Sequence, residues 1–157
     1  MVVSDGAPVY AVGRGITPAA FPKYLTLSEA FAGVGASDVV FNLDLIQPGE
    51  VVLVCEGVLS ALSAPNGVAT LGKVLSDRQA WLIARANPGA VVLLRESGVA
   101  PVLVEDNAAK LRRLGLCVFH APLLRGDPND DPGQIPEVLE LAEESSLRTR
   151  ISARLAM

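Results

Sequence analysis

The sequence predicts an α/β fold, a parallel four-stranded sheet flanked by helices. Two observations carry this. The runs VVLVCEG (51–57), AVVLL (90–94) and CVFHA (117–121) are almost unbroken apolar stretches, separated by segments of helical periodicity. Strands buried on both faces read this way, whereas half-exposed strands alternate. Half of the residues are hydrophobic but only 4% are aromatic, so the apolar content is mainly Val, Leu and Ala, the usual material of a helix-covered parallel sheet.

Taken in order, PVYAVGRG (8–15) reads as a short strand followed by Arg14 between two glycines. ITPAAFPKYLTLSEAF carries two prolines and is expected to be loop, with a short helix near Leu27–Phe31. SDVVFNLDLI (37–46) has an extended pattern, and QPGE turns the chain into the long strand at 51. VLSALSA is helical and stops at Pro65-Asn66-Gly67, after which GVATLG gives a brief strand. Ser76 is an N-cap type residue opening SDRQAWLIARAN, whose apolar side is assigned to Leu75, Trp81, Leu82 and Ala84, with Trp81 as a core anchor. LVEDNAAKLRRLG is the next helix, with Leu103, Ala108, Leu111 and Leu114 at roughly helical spacing. The loop LLRGDPNDDPGQ is acidic and proline-rich. Residues 136–157 are expected to form a helical tail, in which Leu147, Ile151 and Leu155 recur every fourth residue opposite Arg148, Arg150 and Arg154. Such a tail either packs on its own domain or docks on a partner.

The length of 157 residues suits one domain with a real core. The start, MVVSDGAPVY, lacks the basic and apolar regions of a secretory signal, and no apolar window is long enough to span a bilayer, so a cytoplasmic protein with no membrane partner is expected. The net charge is −4 and no segment gathers basic residues densely, so any nucleic-acid contact is local. Cys55 and Cys117 are expected to be buried in strands. Cys117 and His120, the one histidine, are two ligands at C-x-x-H spacing, too few for a closed zinc site.

Open α/β sheets bind ligands outside the carboxyl ends of their strands. Three acidic points fall there: Glu56 after VVLVC, Glu96 after AVVLLR, and Asp127, Asp130 and Asp131 after the fourth strand. Carboxylates brought together repel, and a hard divalent cation is the usual remedy; Mg2+ needs few protein oxygens and completes its shell with water and phosphates.

VVLVCEG followed by VLSALSA, the glycine turn TLGKVLSDRQ, VVLLRESGVAP and LLRGDPND together resemble the Toprim domain, in particular the catalytic core of DnaG-type bacterial and phage primases. Upstream, GRGI, PKYLT and VVFNLDL resemble the segment preceding the Toprim strand in those primases. The resemblance covers about residues 10–145 and implies three parts: an N-terminal α+β primase-core-like segment (1–48), a Toprim domain (49–135) and the tail (136–157). It implies Mg2+ or Mn2+ held by Glu56, Glu96 and Asp127, with Glu56 catalytic, and template or nucleotide phosphates met by Arg14, Lys23, Tyr24 and Lys73. The sequence departs from the family pattern at three places. Glu96 and Gly98 stand where an Asp-x-Asp pair belongs, Pro101 replaces the helix glycine, and Lys73 replaces a small hydroxyl residue of the glycine turn.

The function implied is Mg2+-dependent polymerisation of ribonucleotides on single-stranded DNA in replication, by a stand-alone or split core whose partners would include a replicative helicase or a separate primase subunit. The alternative is a catalytically inactive Toprim module that binds DNA or replication partners, motivated by Gly98. A nuclease or topoisomerase-like role ranks below both; nicking by a topoisomerase needs a tyrosine nucleophile, and Tyr10 and Tyr24, the only tyrosines, both lie in the N-terminal segment.

Overall fold

The computed structural model describes residues 1–4, 6–17, 19, 21–22, 24–95 and 99–144. The N-terminal segment holds two small antiparallel ribbons, β1 (Val2–Ser4) with β2 (Ala7–Tyr10) and β3 (Val12–Arg14) with β4 (Tyr24–Thr26), followed by the short helix α1 (Glu29–Ala32). SDVVFNLDLI is not a strand. It forms two 3-10 turns, Ala36–Asp38 and Leu43–Leu45, joined through one bridge from Phe41 to Ala69. Asn42 explains the difference: its φ of +60° is tolerable for an asparagine but ends any extended run. Val39, Val40 and Phe41 are still buried, which satisfies the apolar pattern without a strand.

The main sheet has five strands in the order β6-β5-β7-β8-β9. Four are parallel: β5 (Val51–Cys55), β6 (Gly67–Ala69), β7 (Ala90–Arg95) and β8 (Val118–Pro122). The fifth, β9 (Glu143–Glu144), is antiparallel to β8 and comes from the segment expected to be helical. Of that tail only α5 (Ile135–Glu140) is helix among the described residues; the Leu147, Ile151, Leu155 pattern lies outside them. The helices α2 (Val58–Ser63), α3 (Asp77–Arg85) and α4 (Pro101–Arg113) connect the parallel strands.

Alternate strand residues feed two cores. Leu53, Cys55, Val92, Leu94 and Ala121 pack with Ala61 of α2, Val138 of α5 and Val2 and Tyr10 of the N-terminal segment. On the other face, Val52, Val54, Val91, Leu93 and Val118 pack with Ala80 and Ile83 of α3 and Val104, Ala108 and Leu111 of α4. Each fully buried Val, Leu or Ile contributes about 1.5–3 kcal/mol relative to exposure. No helix among the described residues is long and apolar enough to cross a membrane.

Helix α3 begins with a reciprocal cap, in which Ser76 Oγ accepts from the Gln79 amide and Gln79 Oε1 accepts from the Ser76 amide. Gln79 is itself fully buried. Its Nε2 donates to the carbonyls of Ala36 (3.0 Å), Val39 (2.9 Å) and Thr70 (2.7 Å), tying the 3-10 segment to the end of β6. The buried face of α3 is therefore Gln79, Ala80 and Ile83, and Trp81 is 40% exposed rather than a core anchor. On α4 the inward positions are Val104, Ala108 and Leu111, while Leu114 is exposed. Cys55 is buried as expected, but Cys117 is exposed because β8 starts one residue after it. His120 Nε2 lies 3.1 Å from Oε1 of the buried Glu105, whose Oε2 is 3.4 Å from Arg112.

Candidate active site

β5 delivers Glu56 one residue past its last strand position, and α2 begins two residues later at Val58. This strand end forms one wall of a pocket of about 370 Å3 bordered also by Gly57, Ser60, Leu71, Gly72, Asp127 and Asn129, and by Val12, Tyr24 and Thr26 of the β3–β4 ribbon. Three segments far apart in sequence thus close on Glu56: the ribbon, the glycine turn after β6 and the acidic loop after β8.

The glycine turn is held from two sides. Thr70 Oγ1 donates to the Gly72 carbonyl at 2.7 Å, and Leu71 adopts a φ of +61°, a left-handed conformation that costs a branched residue on the order of 1 kcal/mol. From α4, Asn107 donates to the Lys73 carbonyl (2.8 Å) and accepts from the Leu75 amide (3.0 Å). The turn presents Lys73 beside Glu56, where both border a smaller pocket of about 40 Å3 with Thr70, Gly72 and Asn107.

The acidic loop is organised around Gln134, which is fully buried. Its Oε1 accepts from the amides of Leu124 (3.0 Å) and Arg125 (3.1 Å), and its Nε2 donates to the Asp131 carbonyl at 3.0 Å. Arg125 pairs with Asp131 (2.8 Å) and Glu137 (2.9 Å), and Asp130 accepts from the Asn129 side chain at 3.0 Å. Of the three loop aspartates, Asp127 alone borders the pocket, with Asn129 beside it at 3.5 Å from Ser60 Oγ of α2.

Glu56 is half-buried, and its carboxyl titrates above the ordinary range. Desolvation is the largest cause; Lys73 opposes it and the Asp127 charge adds to it. A carboxyl whose folded value lies above its unfolded one is a stability penalty that is absent at low pH and grows as pH rises through the unfolded and then the folded value. Glu56→Gln is therefore expected to unfold at a higher temperature than the natural chain at pH 7, with the difference vanishing in acid. Thermal melts at the two pH values check this.

The structure brings Glu56, Asp127 and Tyr24 to one pocket, places Lys73 within electrostatic range of Glu56, and stacks Arg14 over the Tyr24 ring at 5.5 Å. Glu96 and Lys23 lie outside the described residues. Among the described residues no group of three His, Cys, Asp or Glu side chains is arranged to hold a metal. A pair of oxygen donors, one of them desolvated and under repulsion, still suits a single Mg2+ that draws its other ligands from water or phosphate. Asn107, Ser60, Asn129 and Gln134 were not foreseen from the sequence, since an isolated amide or hydroxyl carries no periodic or motif signal.

The sequence matches no family model and no curated protein. Solved structures match in fold. The Aquifex aeolicus primase, comprising zinc-binding and RNA polymerase domains, superposes with a TM-score of 0.69 at 21% identity, over 88% of this chain and 38% of that one. The RNA polymerase domain of Mycobacterium tuberculosis primase DnaG, solved with double-stranded DNA, gives a TM-score of 0.70 at 17% identity, over 99% of this chain and 60% of that one. The chain spans less than two thirds of each. The α/β fold expected from the sequence is thus that of primase RNA polymerase domains, with an antiparallel edge strand added to the four parallel ones.

Proposed function

We propose that the chain is a primase-like core acting in DNA replication, joining ribonucleotides on single-stranded DNA with Mg2+ or Mn2+. The observation that carries this reading is the pairing of Glu56 with Asp127 across a pocket walled by the β3–β4 ribbon, in a fold shared with primase RNA polymerase domains. Glu56 and Asp127 would hold the cation, with Glu96 as a further ligand. A divalent cation supplies charge neutralisation for phosphates and a template for in-line displacement. The chain's own groups orient the reactants: Arg14 and Tyr24, with Lys23 and Lys73, meet template or nucleotide phosphates without reading sequence.

The test is Mn2+ binding by calorimetry, together with incorporation of labelled ribonucleotides on a single-stranded template. Glu56→Gln is expected to weaken Mn2+ affinity at least about tenfold, given that even outer-shell losses cost that much, and to reduce incorporation to background. Unchanged binding and incorporation in this variant would remove Glu56 from the site. Because Mn2+ competes with a proton for a carboxyl titrating above its ordinary range, affinity for the natural chain should fall on acidification at a pH where an ordinary carboxylate is still fully ionised.

A second reading, a non-catalytic module binding DNA or replication partners such as a helicase or a separate primase subunit, draws on Lys73. Its ammonium already opposes the unfavourable surroundings of Glu56, which is part of what a cation would do. On that reading Gly98→Asp creates a metal affinity that the natural chain lacks, and binding of two Mg2+ ions by the natural chain excludes it.

A further inference from the structure

Helix α3 lies on the face of the sheet opposite α2, and none of its residues lines the 370 Å3 pocket at Glu56. Its outer surface carries an arrangement the pocket does not use. The Arg78 guanidinium sits 4.6 Å from the centroid of the Trp81 ring and that of Arg85 5.3 Å from it. The spacing from Trp81, three residues back and four forward, puts all three side chains on one stripe of the helix. Cation–π attraction restrains two long side chains that would otherwise sample many rotamers.

Among the described residues neither arginine forms an ion pair with a carboxylate. The ion pairs among the described residues belong to Arg112, His120 and Arg125. Asp38 borders the same small pocket as Arg78, but its Oδ2 accepts the Gly35 amide. On the neighbouring helix α4, Arg113 is exposed in the last turn. A net negative chain thus presents two exposed arginines around a half-exposed indole on this helix face, with the exposed Asp77 of the first turn beside Arg78.

Arg78 and Arg85 are seven residues apart, about 10 Å along the helix axis at 1.5 Å per residue. The two guanidiniums, 4.6 and 5.3 Å from one ring centroid, are therefore no more than about 10 Å apart, a span to which neighbouring phosphates of a flexible single strand can adjust. Guanidinium forks bind phosphate oxygens in pairs, and an exposed indole edge between them is suited to a sugar or an unstacked base. We infer that the outer face of α3 is a nucleic-acid contact, with Arg78 and Arg85 each engaging a phosphate and Trp81 fixing their spacing. The contact is independent of sequence and of the metal chemistry assigned to Glu56.

The probe is fluorescein-labelled oligo(dT), followed by anisotropy over a range of salt concentrations. Arg78→Ser with Arg85→Ser is expected to weaken binding about tenfold and to lower the salt slope by about 1.4, two single-strand phosphate contacts at about 0.7 each. Arg78→Lys with Arg85→Lys keeps the slope. Trp81→Ala weakens affinity with the slope nearly intact. These positions are exposed, so the variants retain the fold, which circular dichroism verifies. The double serine variant keeps the Mn2+ affinity of the natural chain by calorimetry, so failure of the metal reading and failure of this one are separable. Unchanged affinity and slope in the double serine variant, or no oligo(dT) binding by the natural chain, overturns the inference. So does loss of binding to polyglutamate with DNA binding intact, which would make the surface a site for acidic protein.

Discussion

Gly67→Ala is expected to cost about 3 kcal/mol or more of stability and to disturb the pocket, although Gly67 does not border it. A methyl group there would lie 2.3 Å from the carbonyl oxygen of Ala61 and 2.9 Å from that of Ala64, both backbone atoms of α2 and its end. A flexible side chain could swing away; a backbone carbonyl moves only with its helix, and overpacking of this kind costs about 1–3 kcal/mol or more. The helix that must shift is the one starting directly after Glu56 and Gly57, and its Ser60 reaches toward Asn129 of the acidic loop. Urea titration should show the lost stability, and Mn2+ calorimetry in the absence of urea should show weakened binding by the folded fraction. Natural-like binding in a destabilised variant would mean that α2 does not control Glu56.

Gln79→Leu has an effect of similar size through a different cause. Leucine has nearly the same shape, so the core keeps its volume. The carbonyls of Ala36, Val39 and Thr70, however, lose their donor, the latter two in buried surroundings, and the Ser76 amide loses its cap. Leaving buried acceptors unpaired costs about 1–3 kcal/mol apiece, and because one amide group serves all three, a total of about 2–4 kcal/mol is expected. The denaturation midpoint should fall with the urea dependence unchanged. A loss under about 1 kcal/mol would mean that solvent or a neighbouring donor takes over.

The apolar runs made the parallel sheet legible, because strands buried on both faces need no partner to identify them. Glu56 was legible for a related reason: a carboxylate ending such a run has few places to go but the strand tip. What escaped was everything set by chain reversal or by single polar groups. Asn42 turns an extended-looking segment into 3-10 structure, and β9 forms from two glutamates that no β propensity would select. Trp81 was misplaced because hydrophobicity alone put it inward, whereas the polar Gln79 occupies the core and the indole faces the two arginines. The sequence places Asp127, Asp130 and Asp131 together and the resemblance singles out Asp127; in the structure Arg125 takes Asp131, the Asn129 amide takes Asp130, and of the three Asp127 borders the pocket. That division depends on Gln134, whose role has no signature in the sequence.

Gln134 has one more implication. A proline-rich acidic segment would ordinarily sample many conformations and surrender that freedom only when an ion or a phosphate arrived, lowering the affinity by the entropy of ordering. With its side-chain amide already holding Leu124, Arg125 and Asp131, the loop gives up that freedom when the chain folds. On the function proposed above, an ion entering between Asp127 and Glu56 would meet a loop whose flanks at Leu124, Arg125 and Asp131 are already set.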